Sequence, residues 1–164
     1  MIGCICGIVA AAATVILLIA LAKNRTKTVG KDLSVNDITA FYYTLSSSVY
    51  PPSYQRYHLY KEGYRYILYH EKREGHCWPL TASCITRSGS IEWSEEEWAA
   101  FLELVNGGKV KKRTDTAKTG GSGPWMYLYW KKDRAKYQEF SFASADAQNA
   151  FETLCVKHIQ LQSK

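Results

Sequence analysis

The chain has 164 residues, enough for one compact domain of ordinary size and a short additional segment. Its formal net charge of +6 arises in part from a basic cluster near the N-terminus, so the charge alone does not indicate a nucleic-acid-binding protein. Of its five cysteines, two lie within the first six residues and three follow. This odd remainder fits a reduced compartment better than a disulfide framework.

The first notable feature is an uncharged, proline-free apolar run at residues 2–22. At about 1.5 Å of rise per residue, a helix of this length spans about 30 Å, which matches the hydrocarbon thickness of a bilayer. The sequence therefore predicts a single-pass transmembrane anchor over residues 1–22, with the lipid bilayer as its partner.

A basic segment follows the apolar run. Lys23, Arg25, Lys27 and Lys31 lie in a polar stretch, residues 23–37, which reads as a juxtamembrane linker. Because Lys and Arg accumulate on the cytoplasmic side of membrane helices, the pattern predicts a cell-membrane protein whose C-terminal domain is cytoplasmic. The four cations suit anionic lipid head groups, at about 1 kcal/mol each.

A cleaved signal peptide is the alternative interpretation of this end. The sequence Ala20-Leu21-Ala22 has the small residues of a cleavage site, but the first residues lack the Lys or Arg that normally opens a signal peptide, which favours a retained anchor. If the domain is instead exported and extracytoplasmic, Cys77 and Cys84 become the first candidates for a disulfide.

The first half of the remaining domain, residues 38–164, reads mainly as strands. Residues 38–46 are rich in β-branched and aromatic side chains, and residues 54–61 and 64–70 flank a Glu-Gly turn that is typical of a hairpin. A further strand is predicted over residues 80–87, ended by the Ser-Gly-Ser sequence that follows.

The second half adds two helices and a second hairpin. Ser94 caps a helix that ends at Gly107, and residues 109–123 form a polar loop, with a short strand at its start as the alternative. Residues 125–131 and 136–143 then form paired strands. Ser144 caps the last helix. The order predicts an α+β fold with an antiparallel sheet of about five to six strands and two helices on one face, preceded by one transmembrane helix.

Three sequence segments carry a resemblance to a known group of proteins. They are residues 38–43 with the serines at 46–48, residues 93–98 (Trp-Ser-Glu-Glu-Glu-Trp), and residues 121–125 (Gly-Ser-Gly-Pro-Trp). In this order the chain resembles a group of small membrane-anchored α+β proteins of Gram-positive bacteria that have no established function. The resemblance implies a fold and an anchored location, and it implies no catalytic residue.

Motifs for catalysis and metal binding are weak. His70, His76, Cys77 and Cys84 offer N and S ligands, but no C-x-x-C or H-x-x-x-H pair holds them in place, so no metal or other cofactor is predicted. The glycines at 120–123 lack the Lys-Ser/Thr of a phosphate-binding loop. We therefore expect a protein that is not an enzyme; a hydrolase using Cys77 with a histidine base is the alternative.

The aromatic content is the feature that points to binding. Tyrosines alternate with basic residues in the first hairpin, and strand 125–131 is apolar on both faces. Helices on one face of the sheet would leave an aromatic, basic face open for recognition. The predicted members of this face are Tyr54, Arg56, Tyr57, Tyr66, Trp125, Tyr127 and Tyr129. An unidentified protein partner is expected, and nucleic acid is the less favoured alternative.

Overall fold

The computed structural model describes residues 26–112, 123–131 and 138–161, with side chains up to residue 159 in the last segment. Within these residues the chain forms eight strands and two α-helices. They are β1 (Lys27–Thr28), β2 (Ile38–Ser47), β3 (Ser53–Glu62), β4 (Arg65–Glu74), β5 (Ile85–Trp93), α1 (Glu95–Val105), β6 (Lys109–Lys112), β7 (Trp125–Trp130), β8 (Gln138–Ser141) and α2 (Ala145–Leu161).

The strands form one sheet in the order β1-β6-β8-β7-β2-β3-β4-β5, and each neighbouring pair is antiparallel. The β3–β4 hairpin turns at Gly63, whose φ of 62° lies in the left-handed region that glycine adopts without strain. Its register continues from the Glu62–Arg65 pair to the Ser53–Glu74 pair, which extends β4 beyond the predicted end at residue 70.

Both helices begin at the predicted caps. The Ser94 hydroxyl accepts a hydrogen bond from the Glu97 N–H at 3.2 Å, and the Glu97 carboxylate accepts one from the Ser94 N–H at 2.8 Å. This reciprocal capping box satisfies two backbone donors at the start of α1. The Ser144 hydroxyl accepts from the Ala147 N–H at 3.2 Å at the start of α2.

Phe41, at the centre of the sheet, shows where the core lies. Its ring centre is 5.5 Å from that of Phe101 on α1 and 5.2 Å from that of Phe151 on α2, and all three side chains are fully buried. Both helices therefore cover the same face of the sheet, which confirms the predicted α+β class with an antiparallel sheet.

The expected number of strands was too low. The six predicted strands correspond to β2, β3, β4, β5, β7 and β8. The structure adds β1, and it forms β6 at the start of the predicted polar loop, where a short strand was the alternative. These two strands have only two and four residues, too few for an alternating pattern to be recognised. They form because Lys27 pairs with Val110 and Thr28 with Lys109, which are distant in sequence.

The fourth predicted strand lies later in the chain than expected. Strand β5 runs through Ser88, Gly89 and Ser90, the residues expected to end it, and these pair with Glu71, His70 and Tyr69. The pairing partner thus overrides the local turn composition.

The folded part of the chain extends N-terminal to residue 38, into the predicted linker. Val29 is only 1% exposed and belongs to the core. Its N–H donates a hydrogen bond to the Gly108 carbonyl at 2.9 Å, and its carbonyl accepts one from the Gly107 N–H at 3.0 Å. Lys27 and Lys31, two of the predicted membrane-surface cations, are exposed. The Lys27 ammonium lies 5.7 Å from the centre of the Trp130 ring.

Neither α-helix of the described residues combines the length and the apolar composition needed to cross a bilayer. The predicted anchor at residues 2–22, together with Lys23 and Arg25, lies outside the described residues, as does the predicted turn of the second hairpin. The anchor stays a prediction.

Candidate binding face

Side-chain alternation along the strands divides the sheet into a face covered by α1 and α2 and a second face, which we call the open face. In the described part of the chain no α-helix packs on it. Its central members are Ala40, Tyr42, Thr44, Tyr54, Arg56, His58, Tyr60, Ile67, Tyr69, Glu71, Arg73, Trp125, Tyr127 and Tyr129. Successive residues of a strand point to opposite faces, so these positions follow from the observed pairing register.

The register aligns the aromatic side chains in rows across neighbouring strands. Tyr127, Tyr42, His58 and Tyr69 follow one another across β7, β2, β3 and β4. Directly opposed aromatic pairs stabilise antiparallel sheets, and their rings partly cover one another. Trp125, at the start of β7, is 36% exposed. The open face therefore presents an almost continuous aromatic surface.

Six planar side chains form a stacked column across this surface, in the order Arg73, Tyr54, Arg56, Tyr42, His58 and Tyr60. The guanidinium carbons of Arg73 and Arg56 lie 4.8 and 5.3 Å from the centre of the Tyr54 ring. Arg56 also lies 5.8 Å from the Tyr42 ring centre. Such cation–π contacts attract each guanidinium to a neighbouring ring and restrict its rotamers.

The other end of the stacked column is purely aromatic. The rings of Tyr42 and His58 are 3.9 Å apart, and those of His58 and Tyr60 are 4.5 Å apart. Burial, followed by the nearby Arg56 charge, lowers the pKa of His58 to about 4. His58 is therefore a neutral aromatic ring at physiological pH and adds no positive charge to the open face.

The charged groups at the arginine end are unequally satisfied. Arg73 Nε donates to Glu71 at 2.6 Å, and the Tyr69 hydroxyl donates to the same carboxylate at 2.8 Å. Burial alone would raise the pKa of Glu71, but these hydrogen bonds and the two arginines lower it. Arg56 Nε, in contrast, is buried without a hydrogen-bond partner. Buried polar groups are normally paired, so Arg56 is the less fully satisfied of the two arginines.

Five of the seven predicted face residues lie on the open face: Tyr54, Arg56, Trp125, Tyr127 and Tyr129. The other two, Tyr57 and Tyr66, point into the covered layer. Tyr57 is 3% exposed and lies beside His70, with ring centres 5.1 Å apart. Tyr66 stacks on Trp98 of α1 at 4.9 Å. The placement of these two side chains on the open face was wrong, because each is an odd number of residues from the face positions of its own strand.

Several residues of the stacked column were missed by the sequence analysis. On β3, Tyr54, Arg56, His58 and Tyr60 occur at alternate positions, so a strict two-residue period would have found His58 and Tyr60 and rejected Tyr57. Tyr42 and Arg73 join the column only because β2 and β4 flank β3. No local signal in the sequence indicates that pairing.

The two candidate catalytic histidines of the described residues have different surroundings. His70 lies in the covered layer with its Nε2 3.1 Å from Gln55 Nε2, whereas the His76 ring contacts Tyr50, with Nδ1 3.5 Å from the tyrosine hydroxyl oxygen. Cys77 and Cys84 are unbridged. Among residues 26–112, 123–131 and 138–161, no three His, Cys, Asp or Glu side chains are grouped as metal ligands.

Comparison with known proteins adds no relative: no family model, no curated protein and no solved structure matches this chain. The resemblance to the membrane-anchored proteins of Gram-positive bacteria stays a prediction.

Proposed function

We propose that this protein is a recognition module that binds an acidic segment of a partner protein across its open face. The observation that carries the proposal is the stacked column, in which the Arg56 guanidinium lies over the rings of Tyr42 and Tyr54 and its Nε has no hydrogen-bond partner among the described residues. A carboxylate of the partner would accept hydrogen bonds from this guanidinium, and apolar or aromatic partner groups would pack on the surrounding rings.

The charge balance favours a protein partner over nucleic acid. At the centre of the open face, the positive charges of Arg56 and Arg73 are offset in part by Glu71, and His58 is neutral. A nucleic-acid track needs several cations that neutralise successive phosphates. A single preorganised guanidinium within an aromatic surface is better suited to one carboxylate in an otherwise uncharged contact.

We further propose that residues 2–22 hold this module at the cell membrane, with the domain on the cytoplasmic side. This part of the proposal depends on the apolar run and on the basic residues that follow it. The partner would then be a protein that acts at or near the inner membrane surface. Export of the domain after signal cleavage is the alternative, and it would place the partner outside the cytoplasm.

Site-specific photo-crosslinking tests the recognition proposal. A photoreactive phenylalanine replaces Trp125, the partly exposed aromatic residue at the start of β7, in the full-length chain in its own cells. After irradiation, mass spectrometry identifies the attached peptide. We expect an acid-rich protein segment, and we expect Arg56→Gln to lower its yield about tenfold, since a hydrogen bond to a charged group contributes ~1.5–3 kcal/mol.

Lys157→Gln is the matched control. It also removes one positive charge, but Lys157 is exposed on α2, in the layer opposite the open face. The crosslink should persist in this variant, and circular dichroism should show the same fold in both. Attachment to nucleic acid alone, absence of a protein crosslink, or equal yields with and without Arg56 would each contradict the proposal.

A further inference from the structure

The turn after β1, the β2–β3 loop and the β4–β5 loop lie at the same end of the sheet. This follows from the topology, because every neighbouring pair of strands is antiparallel. Strand β7 also begins at this end. We define the loop end as residues 29–33, 48–52 and 75–85 together with Trp125.

The loop end carries most of the large apolar side chains that are exposed in the described residues. Two others lie elsewhere: Tyr64 at the β3–β4 turn, at the opposite end of the sheet, and Val156 on α2. Scattered exposed apolar residues are normal, whereas a group of them indicates an interaction site. The members at the loop end are Val49, Tyr50, Trp78, Ile85 and Trp125.

The two longer loops are fastened at their bases. Pro52 and Leu80 are buried, and the Leu80 carbonyl accepts a hydrogen bond from Arg73 Nη1 at 3.0 Å. The loops also meet each other, because the Tyr50 hydroxyl oxygen lies 3.5 Å from His76 Nδ1. Tyr50 and Trp78 nevertheless remain 72% and 48% exposed. Their exposed rings add little to the core, which favours a contact outside the domain.

The composition of the loop end favours a lipid surface as that contact. Residues 48–52 and 75–85 contain no Lys, Arg, Asp or Glu. A protein interface normally surrounds its apolar centre with a polar rim, whereas Trp and Tyr beside uncharged residues are typical of chains that rest among lipid head groups. Lys31 is exposed at the same end, where its charge suits the head-group phosphates.

The position of the predicted anchor is compatible with such a contact. Lys27 is level with Tyr43 of β2, through pairs that cross β6, β8 and β7. The loop end begins about four residues beyond Tyr43, or about 14 Å along the strand. Five residues separate the end of the apolar run at Ala22 from Lys27, and an extended chain of five residues spans up to about 17 Å. A chain anchored at residue 22 is therefore long enough for the loop end to reach the same bilayer.

We propose that the loop end docks on the surface of a phospholipid bilayer, with Tyr50 and Trp78 among the head groups. Docking by this end sets the strands upright on the membrane and leaves the open face accessible from the side. The inference rests on the proposed membrane location for its place in the cell, and it is independent of the proposed partner of the open face.

Quenching of tryptophan fluorescence by brominated lipid tests the contact. The full-length chain is reconstituted in phosphatidylcholine vesicles with or without bromine on the acyl chains close to the head groups. Trp93, Trp98 and Trp130 are buried in the core, so quenching by lipid reports on Trp78 and Trp125. We expect brominated vesicles to lower the emission, and we expect Trp78→Phe to remove most of that quenching.

Two relocated tryptophans provide the matched control. In the Trp78→Phe chain, Tyr50→Trp returns an indole to the loop end, whereas Tyr64→Trp places one at the exposed turn of the opposite end. Brominated lipid should quench the first and not the second. Dissolved acrylamide should quench both, which verifies that both indoles are exposed, and circular dichroism should show the same fold.

Three outcomes would overturn the proposal: no quenching of the parent chain by brominated lipid, unchanged quenching in Trp78→Phe, or equal quenching of the two relocated tryptophans. A protein would then be the better occupant of the loop end. Fractionation of cells that express the full-length chain tests the membrane location by itself. Failure of that location and failure of the loop-end contact are therefore distinguishable.

Discussion

The rings of Tyr42 and His58 stack face to face across the β2–β3 pair, with centres 3.9 Å apart and planes within 9° of parallel. This contact joins the arginine end of the stacked column to its aromatic end. It also removes the imidazole from water, and the charged form of a histidine loses more from that removal than the neutral form does. The stack therefore keeps His58 uncharged, so this part of the open face carries no positive charge from the imidazole.

The first prediction concerns the titration of His58. Its pKa of about 4 lies below the ordinary value of 6.5, so in the interval between them the unfolded chain binds more protons than the folded chain. Folding stability should therefore fall as the pH is lowered from about 6.5 towards 4. Nuclear magnetic resonance titration of the His58 ring should show no protonation until the pH is well below 6.

His58→Phe is the variant that isolates this effect. Phenylalanine keeps a stacked ring but cannot be protonated, so its free energy of unfolding should depend less on pH between about 6.5 and 4 than that of the parent chain. Denaturant unfolding at several pH values measures the difference. An identical pH dependence in both proteins, or a His58 that titrates near 6.5, would contradict the assigned environment.

Local patterns predicted most elements of this fold, because both helices and the longer strands other than β5 carry their own signal. The alternation of Trp125, Tyr127 and Tyr129 with buried Leu128 and Trp130 places the three aromatic residues on the open face without knowledge of any neighbour. Ser94 likewise marks its helix start through a capping box that involves only nearby residues.

What the sequence could not provide is the order of the strands. Strand β2 lies between β3 and β7, and this arrangement brings Tyr42 against His58 and Ala40 beside Tyr129. Both contacts join residues that are distant in the chain, and no local period encodes them. The stacked column therefore emerges only from the folded sheet.

The second prediction compares how much one aromatic residue on each face of the sheet contributes to the free energy of unfolding. Tyr57 is 3% exposed in the core, so Tyr57→Ala should lower the free energy of unfolding by about 3–5 kcal/mol, as for other large aromatic truncations. Trp125 is 36% exposed, and Trp125→Ala should cost about 1 kcal/mol or less. Denaturant unfolding compares them. Equal costs would show that the assignment of Tyr57 to the covered layer is wrong.

The third prediction compares two of the serines that precede helices. The Ser94 side chain caps α1, whereas Ser34 precedes the 3-10 helix Val35–Asp37 without a side-chain cap hydrogen bond. Ser94→Ala should lower the free energy of unfolding by about 1 kcal/mol, and Ser34→Ala should change it by a few tenths at most. Thermal unfolding of the two variants provides the comparison, and an effect of the same size in both would argue against the capping box.

The fourth prediction uses the three cysteines of the described residues as probes of burial. Cys155 is fully buried on α2, and burial raises the pKa of its thiol. Cys77 is exposed, and hydrogen bonds with Thr81 lower the pKa of Cys84. Because the thiolate is the reactive form, iodoacetamide should modify Cys84 and Cys77 in the folded chain and Cys155 only after denaturation. Peptide mass spectrometry locates each adduct and distinguishes these adducts from those on Cys4 and Cys6.

Two outcomes would contradict this prediction. Rapid modification of Cys155 under native conditions would mean that α2 does not cover the sheet as described. Resistance of both Cys77 and Cys84 would indicate that these two cysteines are bridged in the isolated protein.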